Sequence, residues 1–234
     1  LYMLALAVFV MGTSEFMLAG LLPAIATELD VSVGTAGLLT SAFAVGMVIG
    51  APVMAAFARR WPPRLTLIVC LIVFAGSHVI GAMTPVFSLL LITRVLSALA
   101  NAGFLAVALS TATTLVPANQ KGRALSILLS GTTIATVVGV PAGALLGTAL
   151  GWRTTFWAIA ILCIPAAVGV IRGVANNVGR SATSATSPRL RVELSQLATP
   201  RLILAMALGA LINGGTFAAF TFLAPVVTKT AGLT

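Results

Sequence analysis

The sequence has very little charge: Asp, Glu, Lys and Arg make up only 7% of its 234 residues, whereas 59% are hydrophobic. Because a soluble domain carries about 25% charged residues, this composition excludes a water-soluble globule. It also excludes a disordered chain, which lacks the apolar residues needed to form a core. The class that remains is a polytopic membrane protein.

Residue types on which catalytic and metal sites depend are scarce as well. The single His78 cannot form a common zinc site, and Cys70 and Cys163 lie inside apolar runs, where they behave as small buried hydrophobes. Neither Lys121 nor Lys229 completes the GxxxxGK[ST] loop that binds nucleotide phosphates. We therefore expect no enzyme, no metal ion, no cofactor and no ATP site, and we interpret His78 as a packing residue.

Long apolar runs are abundant. Crossing about 30 Å of hydrocarbon takes roughly 20 apolar residues in a helix, because every backbone polar group must be satisfied within the segment. We predict an all-α fold with seven membrane-spanning helices at residues 2–25, 35–57, 65–83, 86–113, 124–146, 154–171 and 202–224. The first run is too long for the apolar part of a signal peptide and is interpreted as a retained helix.

The basic residues alternate sharply between the predicted loops. Ten of them follow spans 2, 4 and 6: Arg59, Arg60, Arg64, Lys121, Arg123, Arg172, Arg180, Arg189, Arg191 and Arg201. The loops on the other side contain only Arg153, so the positive-inside rule predicts a cytoplasmic amino terminus in a multi-pass protein of the cytoplasmic membrane. Because the basic residues are divided among short loops without an aromatic platform, we expect no nucleic-acid partner.

A polar, Ser/Thr/Ala-rich segment divides the chain into three predicted regions. These are an amino-terminal six-span bundle at 1–171, a cytoplasmic central loop at 172–201 and, at 202–234, a seventh span that begins a further bundle. Because the chain begins with Leu1 and ends in a predicted loop at Thr234, we expect it to be part of a longer protein.

A weak internal repeat relates the first three spans to the next three. VIGAP at 48–52 recurs as VVGVP at 137–141, and the same offset of 89 residues places Arg64 on Arg153. Because three spans separate the copies, they run in opposite directions across the membrane. Inverted three-helix repeats are typical of secondary transporters, although chance similarity in Gly/Ala/Val-rich sequence remains an alternative.

One carboxylate and one guanidinium lie deep inside predicted spans. Glu15 is in the middle of span 1, where an ionised group is costly and is expected to face an aqueous cavity. Arg94 lies at a similar depth in span 4, and Asn101 follows on the same helix face. We predict a proton-coupling site formed by Glu15 and Arg94, with Asn101 lining its cavity. The alternatives are a neutral Glu15 that holds helices together and an Arg94 that only binds backbone carbonyls.

Small residues form two flat faces that suit close helix packing. Span 5 has Gly131, Ala135, Gly139, Gly143 and Gly147 at intervals of four with Pro141 between them, and span 2 has Gly46 and Gly50 before Pro52. We expect Gly139, Pro141 and Gly143 to take part in conformational change. Neither face has an obvious partner among the six spans, which suggests a partner in a missing part of the protein.

A small amphiphilic ligand would suit an apolar cavity with a few hydrogen-bonding groups. The candidates for lining such a cavity beside Glu15 and Asn101 are Phe16, Met17, Phe104, Thr132, Thr133 and Thr136. The alternative is that the aromatic and Met side chains face lipid.

Several strings resemble the major facilitator superfamily, in its twelve-span drug:proton antiporter branch, and within it the chloramphenicol-resistance exporters. MGTSEFMLAGLLPAIATEL at 11–29 is similar to the first span of that group, and RVLSALANAG at 94–103 resembles the family motif of span 4, with Arg94 at its arginine. The most specific string is GVPAGALLGTALGWRTTF at 139–156, which resembles the antiporter motif of span 5.

The loop after span 2 departs from the family pattern. AAFARRWPPR places Arg59 where the family has an aspartate and Pro62 where it has a glycine, whereas Arg60 and Arg64 match the pattern. A gating contact that depends on the aspartate cannot form in the same way, so a conformational role is expected only for the arginines.

The resemblance implies two six-span bundles around a central cavity, the second bundle lying outside this chain. It also implies proton-driven export of chloramphenicol or a related drug, in which Glu15 alternates between proton and drug and Arg94 tunes its pKa. The alternatives are a sugar or metabolite exporter of the same fold and, more distantly, a seven-span receptor-like protein.

Overall fold

The structure is a computed structural model that describes residues 1–58, 61–174, 199–200, 202–212 and 215, with side chains omitted for 55–58. Its α-helices up to Gly173 are α1 Tyr2–Glu28, α2 Val33–Ala58, α3 Pro63–Met83, α4 Phe87–Thr114, α5 Lys121–Ile134, α6 Val140–Leu150 and α7 Trp152–Gly173. A 3₁₀ turn at Ala118–Gln120 precedes α5, and a π-helical segment at Ala135–Gly139 joins α5 to α6. Together Ala118–Leu150 form one span, here called the fifth span.

Six of the predicted spans are confirmed, since the described residues contain six helices long and apolar enough to cross a membrane. Single residues explain where two of these helices begin or end. Pro63 occupies the first turn of α3, where a backbone N–H has no acceptor within the helix. The N–H that proline lacks therefore costs no helical hydrogen bond there. Gly151 adopts φ +86° between α6 and α7, a left-handed conformation that suits a residue without a Cβ.

The six spans form one compact unit within Leu1–Thr183. α1 and α4 are its central helices: α1 packs on α2, α7 and the fifth span, while α4 packs on α2, α3 and α5. α2 and the fifth span are at the edge, because only 22% of the most apolar window of each is buried, against 61% for α1 and α4.

The helix contacts agree with the predicted repeat. Exchanging spans 1, 2 and 3 for spans 4, 5 and 6 converts the α2–α4 contact into the contact of the fifth span with α1, and the α3–α4 contact into the α7–α1 contact. Contacts of individual glycines show the same correspondence between the two repeats: a Cβ on Gly50 would meet Ala102, and a Cβ on Gly139 would meet Thr13. Gly139 follows Gly50 by 89 residues, and Ala102 follows Thr13 by 89.

These contacts correct one expectation, because both small-residue faces have partners inside the six-span unit. Gly46 and Gly50 pack on α4, and the face of the fifth span packs on α1 along almost its whole length. Gly131 lies on the backbone of Ala5, and Gly143 lies on Met17. Close approach of backbones is what small residues allow in membrane helices, and the expectation of a missing partner was wrong.

A second compact unit covers Ser184–Thr234. Its described residues include a short apolar helix, Leu202–Ile212, whose side chains are almost all exposed. This helix begins where the seventh span was predicted, and the rest of that prediction lies outside the described residues. The division of the chain at 171 and 201 stays a prediction.

Candidate functional site

Glu15 lies in the middle of α1, on a side that the six-span unit leaves partly exposed. Asn101 of α4 donates a hydrogen bond from Nδ2 to Glu15 Oε2 at 3.2 Å. The structure therefore brings together two side chains that are 86 residues apart in sequence. Because Asn101 is itself 7% exposed, the pair is at the boundary between the packed interior and the open side of the unit.

Arg94 of α4 contacts Ser14, the residue before Glu15, and is almost fully buried, with 1% of its surface exposed. Its Nη2 donates to the backbone oxygen of Ser14 and its Nη1 donates to Ser14 Oγ, both at 3.3 Å. The guanidinium carbon also lies 4.7 Å from the ring centre of Phe43, a distance suited to a cation–π contact. Arg94 and Glu15 interact electrostatically, although the described residues hold no direct ion pair between them.

His78 joins this cluster, a position that the sequence did not indicate. Its Nε2 lies 2.5 Å from Ser14 Oγ and 3.5 Å from Arg94 Nη1, and its Nδ1 lies 2.8 Å from the backbone oxygen of Phe74. We call Ser14, His78 and Arg94 the polar triad. The interpretation of His78 as a residue with satisfied hydrogen bonds agrees with these contacts, but its partners had no local pattern that could have revealed them.

The other predicted cavity residues divide into two groups. Met17 and Phe104 are 0% and 1% exposed and belong to the hydrophobic interior, so in this structure they contact neighbouring helices rather than an open cavity. Phe16 and Thr132 are partly exposed, and Thr133 and Thr136 are exposed. Thr136 donates to the backbone oxygen of Thr133 in its own helix.

The fifth span changes geometry next to its proline. Pro141 is in the first turn of α6, which directly follows the π-helical segment, and Gly139 at the end of that segment is buried against α1. Because proline has no N–H to donate to the preceding turn, a local change of hydrogen-bond register is expected there. Gly143, on the next turn, packs on Met17.

Of the three predicted arginines after α2, Arg64 is among the described residues. Arg59 and Arg60 lie outside the described residues. Arg64 lies in the first turn of α3, is partly buried and has an interaction partner. Their conformational role stays a prediction.

At the opposite end of α3, Glu28 of α1 connects three helix ends. Trp152 Nε1 donates to Glu28 Oε2 at 2.7 Å, and Arg153 Nε lies 3.2 Å from Glu28 Oε1. Arg153 Nη2 also donates to the backbone oxygen of Thr84 at 3.1 Å. These contacts tie the ends of α1 and α3 to the start of α7.

No cluster of three or more His, Cys, Asp or Glu side chains suited to a metal ion occurs among the described residues. The site combines the Glu15 carboxyl group and its Asn101 amide partner with the nearby Arg94 guanidinium.

Curated relatives match along the whole chain. It is 64% identical over 234 residues to the chloramphenicol resistance protein of Streptomyces lividans, covering 100% of this chain and 59% of that protein. It is 33% identical over 224 residues to the inner membrane transport protein YdhP of Escherichia coli K12, covering 96% of this chain and 56% of that protein. The chain therefore spans little more than half the length of these relatives.

Solved structures show the same fold. A bacterial homologue of the human lysosomal transporter Spinster, inward-facing and unoccupied, superposes with a TM-score of 0.71 at 20% identity, covering 100% of this chain and 56% of that one. The peptide transporter POT, as its E310Q mutant, gives 0.69 at 16% identity, covering 96% and 49%. The sequence profile of the Major Facilitator Superfamily matches residues 4–234. The chain thus belongs to the Major Facilitator Superfamily.

Proposed function

We propose that the full-length protein is a proton-coupled exporter of chloramphenicol or related amphiphilic drugs. Support for the drug class comes from the 64% identity with a chloramphenicol resistance protein. The observation that carries the proton coupling is Glu15, a partly exposed carboxyl group in the middle of a membrane-spanning helix. An ionisable group at that depth is costly and marks an ion or substrate pathway.

In this proposal the carboxyl group of Glu15 binds either a proton or a polar group of the drug. The ionised carboxylate accepts hydrogen bonds from Asn101 and from a donor on the drug, whereas protonation removes the negative charge and converts one of the two acceptor oxygens into an O–H donor. Drug binding and proton binding thereby become alternatives at one site, so that proton uptake accompanies drug release. Arg94, anchored on the neighbouring residue Ser14, supplies a fixed positive charge that favours the ionised form during drug binding.

Alternating access requires a second bundle. The edge helices, α2 and the fifth span, are the least buried of the six and suit contact with such a bundle. We propose that the missing carboxy-terminal six-span bundle covers them, and that Gly139, Pro141 and Gly143 allow the fifth span to adjust during rocking. The remaining parts of the proposal are a cytoplasmic amino terminus, residence in the cytoplasmic membrane, and the proton gradient rather than ATP as the energy source.

The test is chloramphenicol accumulation in cells that express the full-length protein, with and without a protonophore. We expect accumulation to fall and the protonophore to restore it. Glu15→Gln keeps the shape of the side chain but removes its exchangeable proton, so it should abolish drug export that depends on the proton gradient. Asp30→Asn is the matched control, because Asp30 is an exposed loop residue at φ +51°, a conformation that Asn also adopts.

Two outcomes would contradict the proposal at different levels. Full export by Glu15→Gln, at wild-type protein levels in the membrane, would remove Glu15 from the coupling mechanism. Unchanged accumulation with the wild-type protein would reject chloramphenicol as substrate, and the same assay with sugars or other metabolites would then be the next step.

A further inference from the structure

Arg94 is anchored by groups that do not change charge when Glu15 exchanges its proton. Its described hydrogen bonds go to the backbone oxygen and hydroxyl of Ser14, and Nη1 also approaches His78 Nε2 at 3.5 Å. Glu15, its carboxylate neighbour, is bonded to Asn101 instead. The guanidinium therefore has a support that is separate from the carboxyl group whose charge it balances.

The tautomer of His78 follows from its partners. The backbone oxygen of Phe74 can only accept a hydrogen bond, so the Nδ1 atom, 2.8 Å away, must carry a proton. If the ring is neutral, Nε2 then carries no proton and can accept a hydrogen bond. The two groups that face it, Ser14 Oγ and Arg94 Nη1, can both donate. The described hydrogen bonds of the His78 ring are thus satisfied with the ring uncharged.

The surroundings favour the uncharged ring as well. Around the triad, α2 contributes the ring of Phe43 and α7 the ring of Phe156, while the charged groups are Arg94 itself and Glu15 of α1. The thiols of Cys70 and Cys163 are about two helical turns, on the order of 10 Å, further along α3 and α7. Within the described part of the chain, no carboxylate is bonded to His78 that could balance a second positive charge beside Arg94.

We propose that His78 is a positioning residue that acts through Ser14. By accepting a hydrogen bond at Nε2, it orients the Ser14 hydroxyl so that the hydroxyl oxygen faces Arg94, and this holds the guanidinium beside Glu15 whatever the protonation state of the carboxyl group. The inference rests on the proposed function, because its consequence is that Arg94 keeps its place when Glu15 binds a proton.

Two amide variants of the full-length protein separate this role from simple packing. In His78→Gln the amide can reach the position of Nε2 and supply an acceptor to Ser14. In His78→Asn the shorter side chain reaches only the position of Nδ1, although it is equally polar. We expect His78→Gln to retain most of the drug export and His78→Asn to lose about tenfold, the cost of one hydrogen bond in a network around a charged group.

Ser77→Ala is the matched control, since Ser77 is the buried neighbour of His78 and its hydroxyl donates to the backbone oxygen of Val73 in its own helix. It should export like the wild type. Equal export by His78→Gln and His78→Asn, at equal amounts in the membrane, would overturn the proposal.

A measurement without transport decides the same question. In full-length protein labelled with ¹⁵N-histidine, the difference spectrum between wild type and His78→Gln isolates His78. We expect the neutral Nδ1-protonated tautomer, with an Nε2 signal that shifts in Ser14→Ala. A doubly protonated ring or the Nε2-protonated tautomer would overturn the positioning role. If the wild type exports no chloramphenicol but shows the expected spectrum, only the proposed function fails.

Discussion

Arg94 shows how a membrane-spanning helix accommodates a buried cation. Burying a charged side chain away from water is costly unless it is hydrogen-bonded and its charge is balanced. Here Ser14 accepts two of its hydrogen bonds, the face of Phe43 lies 4.7 Å from the guanidinium carbon, and Glu15 is near enough to balance the charge. The Glu15–Asn101 pair is the part of this network that reaches the open side.

Asn101 provides a test at the scale of one residue. Asn101→Ala removes the hydrogen bond to Glu15 Oε2 and leaves the carboxylate without its amide donor. We expect drug export to fall about tenfold, since a hydrogen bond to a charged group contributes on the order of 1.5 to 3 kcal/mol. The measurement is the initial rate of chloramphenicol efflux from loaded cells.

The control for Asn101→Ala is Ser97→Ala, one turn earlier on α4. Ser97 is buried to a similar degree, but its hydroxyl donates only to the backbone oxygen of Arg94 in the same helix. It should keep wild-type export. Equal loss in both variants would mean that the effect comes from packing of α4 rather than from Glu15.

Sequence reasoning found part of the site because depth along a helix can be counted from residue numbers. Glu15 and Arg94 were placed at similar depths, and Asn101 on the same side of α4 as Arg94, from helix geometry alone. Ser14 and His78 could not be found in this way, since their contact depends on how α1, α3 and α4 are rotated against each other. Such rotation is set by packing of all six spans.

At the scale of helices, glycine positions decide how closely neighbouring spans approach. A Cβ at Gly46 would lie 2.7 Å from Ala98 Cβ and 3.0 Å from the backbone oxygen of Val95, so α2 and α4 would have to separate. Gly76 of α3 has nothing within 4 Å of the same position. The two glycines therefore form a matched pair for the same substitution.

We expect Gly46→Ala to destabilise the full-length protein by about 1 to 3 kcal/mol, the usual cost of overpacking. Gly76→Ala should be neutral or slightly stabilising, because alanine favours a helix more than glycine does. The measurement is the thermal unfolding midpoint of the purified protein in detergent. A Gly46→Ala protein as stable as the wild type would show that α2 and α4 are packed less closely than described.

The helices themselves were predictable, whereas the partners of their faces were not. Apolar length placed six spans within a few residues of their observed bounds, because the bilayer sets the length of a helix. The small-residue faces were correctly recognised as packing surfaces, but their partner was assigned outside the six spans. A pattern within one helix reveals a surface that favours close contact without specifying which neighbour provides it.

At the scale of the whole molecule, the internal repeat relates the loop after span 2 to the loop after span 5. Arg153 follows Arg64 by 89 residues, so the internal repeat places both after corresponding spans. Arg153 bonds to Glu28 and to the backbone of Thr84 at one membrane surface. Its ion pair is partly exposed, with 29% of the Arg153 side chain and 49% of the Glu28 side chain accessible, so it orients the helix ends more than it stabilises them.

The orientation of the molecule in the membrane can be tested with cysteines, because both native thiols of this chain are buried. Ser32 and Gln120 are exposed and lie at opposite ends of the spans, between α1 and α2 and just before α5. The distribution of basic residues predicts that Ser32 is outside the cell and Gln120 inside. A membrane-impermeant thiol reagent added to intact cells should therefore label Ser32→Cys and leave Gln120→Cys unlabelled.

Permeabilised cells provide the control for that experiment, since both variants should then react. The unmodified full-length protein sets the background from any further cysteines. Labelling of Gln120→Cys alone in intact cells would show that the molecule has the opposite orientation, with Glu28 and Arg153 at the cytoplasmic surface. Because an inverted bundle would also reverse the direction in which Glu15 meets protons during export, this outcome would contradict the proposed coupling together with the orientation.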